Sequence, residues 1–241
     1  TLSSDSEVIQ LIADSGGISH LIELLTTGSK GTQATAAGVL CTMCASRTAC
    51  IMVSDAKPIP ALEAVLETGL KEAKEQASGA LRLLARDGPG NEESIGRAVV
   101  RILSKGAVKE LECAIHLTHD LSLIKRSRNA MVEAGVIPYL VKQVEEGTNT
   151  ASDHAVHALR QIAQVSADHR SEVTHTLFSA RPGAVPPSLR AGRALSEINS
   201  EADLSSEGGQ ATGMFSPMFS SQHSGRTSAS TSTRARSTTS G

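Results

Sequence analysis

The chain has 241 residues, with 23 basic and 25 acidic side chains and a formal net charge of -2, so it lacks the positive field that attracts nucleic acid or anionic membranes. One Tyr, three Phe and no Trp are too few for base-stacking platforms or aromatic cages. The sequence predicts no membrane span and no signal peptide, because no long apolar run occurs.

The four cysteines, Cys41, Cys44, Cys50 and Cys113, follow no disulfide framework. A chain of this length builds its own core and does not need disulfide bonds for stability. We therefore expect free thiols in a reducing compartment, which predicts a cytoplasmic location with the nucleus as the alternative.

A pattern of apolar residues recurs along the first two thirds of the chain. A turn rich in Gly or Pro is followed by apolar residues at helical spacing and then by a Gly, at residues 14–28, again 41 residues later at 55–69, and at 134–147. Residues 99–106 match the second copy at an offset of 37 but lack the opening turn. A repeat of about 40 residues is typical of a solenoid.

Each repeat reads as a short helix, a medium helix and a long helix rich in small residues. One such unit cannot bury its apolar face alone, so stacking of units is needed to make a continuous core. The predicted units are approximately 6–47, 48–88, 89–122 and 123–165, with a capping segment to residue 178. This organisation predicts an all-α solenoid over residues 1–178.

Two stretches carry a resemblance to a known family. Residues 12–25 (IADSGGISHLIELL) with 36–40 (AAGVL), and residues 131–141 (MVEAGVIPYLV) with 155–159 (AVHAL), resemble the opening turn and third helix of armadillo repeats. The resemblance implies a right-handed α-α superhelix whose long third helices line a concave surface that binds proteins or extended peptides. The third unit departs from the family pattern.

The C-terminal part, residues 179–241, differs in composition from the repeats. It holds 15 Ser and 6 Thr among 63 residues and few large apolar side chains, which predicts a largely disordered tail. Ser216 precedes a Pro, as in substrates of proline-directed kinases, and Ser237 follows two Arg residues, as in substrates of basophilic kinases. Both are predicted phosphorylation sites.

Cys41 and Cys44, with Cys50 nearby, have a spacing that zinc or redox sites also use. No second cysteine pair follows, and the repeat register places the two inside a helix, so packing thiols are the preferred interpretation.

Two histidine pairs, His116 with His119 and His154 with His157, lie three residues apart on helices. Such a pair can chelate a metal from one helix face, but no third ligand is evident in the sequence. Surface histidines are therefore the preferred interpretation, and the sequence predicts no metal and no cofactor.

Enzymatic motifs are missing from the sequence. It contains no nucleophile elbow, no H-E-x-x-H pair and no phosphate-binding glycine loop followed by Lys and Ser or Thr. We therefore expect a protein without enzymatic activity.

The resemblance also points to the side chains of the concave surface. Nuclear-import adaptors of the armadillo family carry Trp and Asn ladders on the third helix, and none of those residues occurs at the aligned positions. Conventional nuclear-localisation-signal peptides are thus disfavoured as partners. The predicted groove residues are Thr42, Arg82, Leu83, His116, Asp120, His157, Arg160 and Gln161.

These observations favour a non-enzymatic interaction or scaffold module that binds a protein or an extended peptide on the concave surface. The alternative is the substrate-recruiting part of a ubiquitin ligase, with the catalytic-adaptor domain outside this sequence. A U-box or similar module before Thr1 would distinguish the two.

Overall fold

The predicted all-α fold is confirmed by a computed structural model, which describes residues 11–12, 15–88, 90–106, 111–179 and 189–206. Within these ranges all regular structure is helical. The helices are α1 (Gly17–Thr27), α2 (Lys30–Cys44), α3 (Arg47–Asp55), α4 (Ile59–Thr68), α5 (Lys71–Asp87), α6 (Glu92–Lys105), α7 (Glu112–Ser122), α8 (Lys125–Glu133), α9 (Ile137–Glu146), α10 (Asn149–Ala163), α11 (Ala167–Ser179) and α12 (Leu189–Ser206).

The helices stack as consecutive units. Helices α2, α5, α7 and α10 are the third helices of the four units, and each packs on the next in one layer. Helices α1, α4, α6 and α9 form a second layer in the same way, with the core between the layers. Most of the core residues are Ala, Val, Leu and Ile, and this composition lets neighbouring helices approach closely.

Helix ends follow from local sequence signals. The Ser29 hydroxyl accepts a hydrogen bond from the Thr32 backbone N–H at the start of α2, and Thr148 caps α10 by accepting from Ala151. A proline lies in the first turn of α4 and of α9, where the missing N–H is not needed.

The turn that opens the second helix has the same backbone conformation in three units. Gly16, Lys57 and Gly135 occupy equivalent positions, and their φ angles are 76°, 57° and 82°. Glycine adopts this left-handed conformation without a steric penalty, whereas a residue with a Cβ atom adopts it only at an energetic cost. Lys57 is the one non-glycine residue with positive φ in the described ranges.

Within the part of the third unit that the structure describes, there are two helices instead of three. It lacks the opening turn, so nothing interrupts the chain between a first and a second helix, and α6 runs without a break over 14 residues. α6 packs closely against α8, the first helix of the fourth unit. A Cβ atom added at Gly96 would lie 3.0 Å from the carbonyl carbon of Ala130, which shows how near the two backbones are.

Ion pairs join the second-helix layer across one repeat. The Arg101 guanidinium on α6 donates two hydrogen bonds to the Glu63 carboxylate on α4, at 2.7 and 2.6 Å. One turn further along, Lys105 Nζ lies 3.1 Å from Glu67 Oε1. The Glu63 side chain is only 11% exposed, against 29% for Glu67, so the first pair is the better shielded.

The packed array extends beyond the predicted capping segment. Helix α12 lies in the region expected to belong to the disordered tail, and it packs against α9 and α10. Its buried face consists of Ala191, Ala194, Leu195 and Ile198, spaced as in an amphipathic helix. The Arg190 guanidinium anchors its start by donating to the carbonyl oxygen of Gly147 at 2.8 Å. Residues 180–188 and 207–241 of the predicted tail lie outside the described residues.

The opening turns generate the first prediction. Lys57→Gly raises the free energy of unfolding by about 0.5 kcal/mol, because the relief of left-handed strain exceeds the added chain entropy of the unfolded state. Gly135→Ala lowers the free energy of unfolding by about 1 kcal/mol. The cause is the left-handed backbone conformation and not a clash, since no atom lies within 4 Å of the added Cβ. Urea unfolding followed by circular dichroism measures both, and equal destabilisation by the two changes would contradict the assignment.

The ion pairs generate the second prediction. Arg101→Ala lowers the free energy of unfolding by about 1–2 kcal/mol, because it leaves the poorly exposed Glu63 carboxylate without its partner. The matched change Lys105→Ala costs less than about 0.5 kcal/mol, as is usual for an exposed pair. Both are measured by urea unfolding, and a Lys105→Ala loss as large as the Arg101→Ala loss would refute this ranking.

Candidate functional site

A groove of about 480 Å³ crosses three neighbouring third helices, α5, α7 and α10. We call it the third-helix groove. Its lining residues are Lys71, Glu75, Ser78, Gly79, Arg82, Glu112, Cys113, His116, Asp120, Thr150, Ala151 and His154. Small residues, of which Gly79 and Ala151 are examples, leave room between the longer side chains. The groove therefore presents charged and polar groups from three consecutive repeats to solvent.

Asp120 lies at the centre of the charged groups. Its carboxylate oxygens are 3.4 Å from Arg82 Nε on α5, 3.8 Å from His116 Nδ1 and 3.4 Å from His119 Nδ1. The Asp120 side chain is 22% exposed and that of Arg82 is 46% exposed, so the pair is partly accessible to solvent. One carboxylate thus connects α5 with two histidines of α7.

The two histidine pairs form one cluster, which we call the histidine cluster. The ring centroid of His154 on α10 lies 4.9 Å from that of His116 and 5.2 Å from that of His119 on α7. His157 lies 5.9 Å from His119. In the sequence the two pairs are separate, whereas the contact between α7 and α10 joins them.

The environment of His154 favours its neutral form. Burial is the main cause that lowers the pKa of His154, and the neighbouring His116 and His119 lower it further, while Asp120 acts in the opposite direction. A neutral imidazole has one ring nitrogen with a free lone pair, so His154 is an acceptor in the groove at neutral pH.

One acidic side chain at the other end of the groove is held by two hydroxyl groups. Glu112 Oε1 on α7 accepts hydrogen bonds from Thr148 and Thr150 at 2.8 and 3.2 Å. Glu75 on α5 is exposed beside Lys71. Both signs of charge are therefore available along the groove.

The structure places the predicted groove residues in different parts of the molecule. Arg82, His116 and Asp120 line the third-helix groove, whereas His157 contacts the ring of His119 and does not line it. Thr42 is exposed on α2, where its hydroxyl donates to the carbonyl oxygen of Gly38.

The other predicted groove residues lie elsewhere. Leu83 was expected in the groove, but it is buried in the core, and its carbonyl oxygen accepts from the thiol of Cys50. Arg160 and Gln161 are half-buried near the end of α10 and do not line the groove. The groove prediction for Leu83 is therefore corrected.

Several residues that line the groove were not predicted from the sequence. Lys71, Glu112 and Thr150 line it from the N-terminal turns of their helices. The groove prediction used only positions in the middle of each third helix. His154 also lines the groove, although the sequence favoured a surface position for it, and His119 lies next to it in the histidine cluster. A signal for them existed, because the second His-x-x-His pair follows the first by 38 residues, close to one repeat.

The cysteines behave as packing residues. Cys44 and Cys50 are fully buried, and a hydrogen bond between their thiols, together with burial, raises the pKa of Cys44. Burial also raises the pKa of the half-buried Cys41 and Cys113 thiols. None of the four forms a disulfide. The raised pKa values keep the thiols of Cys41, Cys44 and Cys113 protonated. The hydrogen bond with Cys44 instead lowers the pKa of Cys50.

Two further sequence predictions fall outside the site. Ser216 and Ser237 lie beyond the described residues. Among the helices that the structure describes, none combines the length and the apolar character needed to cross a membrane.

Comparison with known proteins agrees with this architecture. Residues 5–45 match the family model of the armadillo/beta-catenin-like repeat. No curated protein matches the chain in sequence.

Several solved structures share the fold. The designed armadillo repeat protein YIII(Dq)4CqI superposes with a TM-score of 0.55 at 18% identity, over 80% of this chain and 87% of that one. A designed armadillo repeat protein in complex with the peptide (KR)4 gives 0.56 at 18% identity, over 80% and 86%. Computationally designed armadillo repeat proteins for modular peptide recognition give 0.54 at 19% identity, over 80% and 86%.

At these identities the likeness concerns the fold, and the family-model match in the first repeat adds a sequence signal. Residues 5–45 thus match an armadillo repeat in sequence, and the described residues share the fold of armadillo-repeat proteins.

Proposed function

We propose that this chain is a non-enzymatic module that binds an extended peptide or a peptide-like segment of a protein in the third-helix groove. The observation that carries the proposal is the groove itself, which crosses α5, α7 and α10 and offers charged groups from each of them. Repeat proteins use extended surfaces of this kind for binding. Designed proteins of the same fold bind peptides, as the complex with (KR)4 and those made for modular peptide recognition illustrate.

The charges of the groove suggest the chemistry of the partner. Glu75 and Glu112 are exposed and suit a basic side chain of a bound segment, whereas Lys71 and Arg82 suit an acidic one. We therefore propose a segment that carries both signs of charge. The groove lacks the Trp and Asn ladders of nuclear-import adaptors, so conventional nuclear-localisation-signal peptides remain disfavoured in this proposal.

The remaining features of the proposal concern the setting of the protein. We propose no nucleic-acid partner, because the net charge of the chain is -2. We also propose a cytoplasmic location, with the nucleus as the alternative, which imaging of a fluorescent fusion of the whole chain tests directly.

The third prediction tests the groove as a binding surface. Peptides are selected from a displayed random library on the whole chain, and their affinities are measured by fluorescence polarisation. The double change Glu75→Ala with Arg82→Ala weakens the selected peptides about tenfold or more, because interface charges that pair with the ligand are lost.

A matched control removes the same two residue types elsewhere. Glu93 and Arg97 form an exposed ion pair at 2.6 Å on α6, outside the groove, so Glu93→Ala with Arg97→Ala leaves the affinity unchanged. Both variants keep nearly the same melting temperature, because exposed substitutions usually cost less than about 0.5 kcal/mol. Equal affinity of the groove variant and the wild type, or no enriched peptide at all, would overturn the proposal.

A further inference from the structure

The net charge of the third-helix groove depends on whether its histidines are protonated. The charged residues that line it are two basic and three acidic side chains, Lys71, Arg82, Glu75, Glu112 and Asp120. While the histidines are neutral, the lining therefore carries one negative charge in excess. His116 and His154 line the same groove, so protonation of both leaves one positive charge in excess.

The two lining histidines stand where a bound segment can reach them. Their ring centroids lie 4.9 Å apart across the contact of α7 with α10, and the His116 side chain is 56% exposed. His119 is less accessible, with 25% of its side chain exposed. The charge that His116 and His154 gain on protonation is thus presented to the groove.

The charged surroundings of His154 come from α7 and from α10 itself. In the described residues, the groups that act on its charge are His116, His119, Asp120 and His157. Burial and the three neighbouring histidines lower the pKa of His154, and Asp120 acts in the opposite direction. The empty groove therefore resists the proton that His154 would take up, and further negative charge beside the ring favours it.

Asp120 shares its negative charge with a cation from another helix. Its carboxylate lies 3.4 Å from Arg82 Nε on α5, so it neutralises the protonated cluster only in part. Asp153 on α10 is directed elsewhere, because it lies 3.7 Å from Arg193 on α12. Protonation of the histidine cluster is therefore favoured by negative charge that a ligand brings.

Proton uptake is the chemistry that remains for these rings, because no group of three or more His, Cys, Asp or Glu side chains in the described ranges could hold a metal ion. We propose that a fall in pH turns the third-helix groove into a site for an acidic peptide segment, with His116 and His154 as the groups that gain positive charge. The inference rests on the proposed binding of peptides in this groove and adds its dependence on pH.

The chemistry of the two partners sets the pH range. Histidine is the side chain that changes its charge between about pH 8 and 5. Asp and Glu in an extended peptide keep their negative charge down to about pH 4. Between these limits an acidic segment meets a groove of opposite charge, whereas a basic segment meets one of like charge. Because binding and protonation are linked, an acidic segment also promotes proton uptake by the groove.

The fourth prediction is a change of peptide preference with pH. The probes are the labelled peptide (DE)4 and its charge-reversed counterpart (KR)4, whose affinities for the whole chain are measured by fluorescence polarisation. Between about pH 7.5 and about pH 5.5, (DE)4 binds about tenfold or more tightly, because paired charges are gained at the interface. The affinity of (KR)4 does not rise over the same range. High salt reduces the gain of (DE)4, since it screens exposed charges.

Matched variants locate the response in the groove. His116→Gln with His154→Gln removes most of the change in (DE)4 affinity with pH, and the comparison is made within each variant. His20→Gln with His175→Gln removes the same number of exposed or half-buried histidines from α1 and α11 and keeps the wild-type change. Circular dichroism at both pH values verifies the fold. If the groove variant unfolds, the two single changes replace it, and each reduces the change in affinity.

Proton uptake gives a second readout. Isothermal titration calorimetry of (DE)4 in two buffers with different heats of ionisation measures the protons that the complex takes up. The wild type takes up protons near pH 6.5, the ordinary pKa of histidine being about 6.5, and the groove variant takes up fewer. Equal uptake by both proteins would place the titrating groups outside the groove and overturn the inference.

Three results of the binding series would also overturn it. They are a (DE)4 affinity that does not rise on acidification, an equal rise in the folded groove variant, and an equal rise for (KR)4. Failure of the proposed function is recognised separately, by the library-selected peptides of the third prediction at neutral pH. If those peptides bind in the groove while (DE)4 does not tighten, the pH dependence alone is refuted.

Discussion

Close contact between successive third helices is the constraint on which the array and its groove depend. A Cβ atom added at Gly79 on α5 would lie 2.9 Å from Cys41 Sγ on α2, and buried alanines fill much of the same layer. Because these helices touch, side chains at matching positions of consecutive repeats become neighbours. The contact of His116 with His154 and the link between Arg82 and Asp120 both follow from it.

Much of the fold was predictable because apolar spacing and turn residues act locally. The Gly-rich and Pro-containing turns mark the starts of α1, α4 and α9, and the missing turn before α6 explains why that unit departs from the pattern. Helix α12 was missed for a different reason. Counting Ser and Thr over the whole tail obscured the short apolar stripe from Ala191 to Ile198, which is buried only because α9 and α10 are beside it.

The site was predictable only in part, since repeat register fixes a position along a helix but not the direction of each side chain. Arg82 and Leu83 are adjacent in sequence, yet Arg82 lines the groove and Leu83 is buried in the core. The charge of Arg82 and the apolar side chain of Leu83 agree with these positions. Predicting the histidine cluster requires the distance between α7 and α10. That distance depends on the rotation between consecutive units. The spacing of 38 residues between His116 and His154 is close to one repeat and so indicates that the two residues are neighbours, but it does not give the distance between their rings.

The backbone contact at Gly96 limits the changes that the junction between units three and four accepts. The units that contain Lys57 and Gly135 share an opening turn with a residue of positive φ. The unit containing α6 has no such turn, and its backbone fits closely against Ala130 of the following repeat. A side chain at position 96 would crowd that backbone, so units three and four pack as one block, and this block also contains all four residues of the histidine cluster.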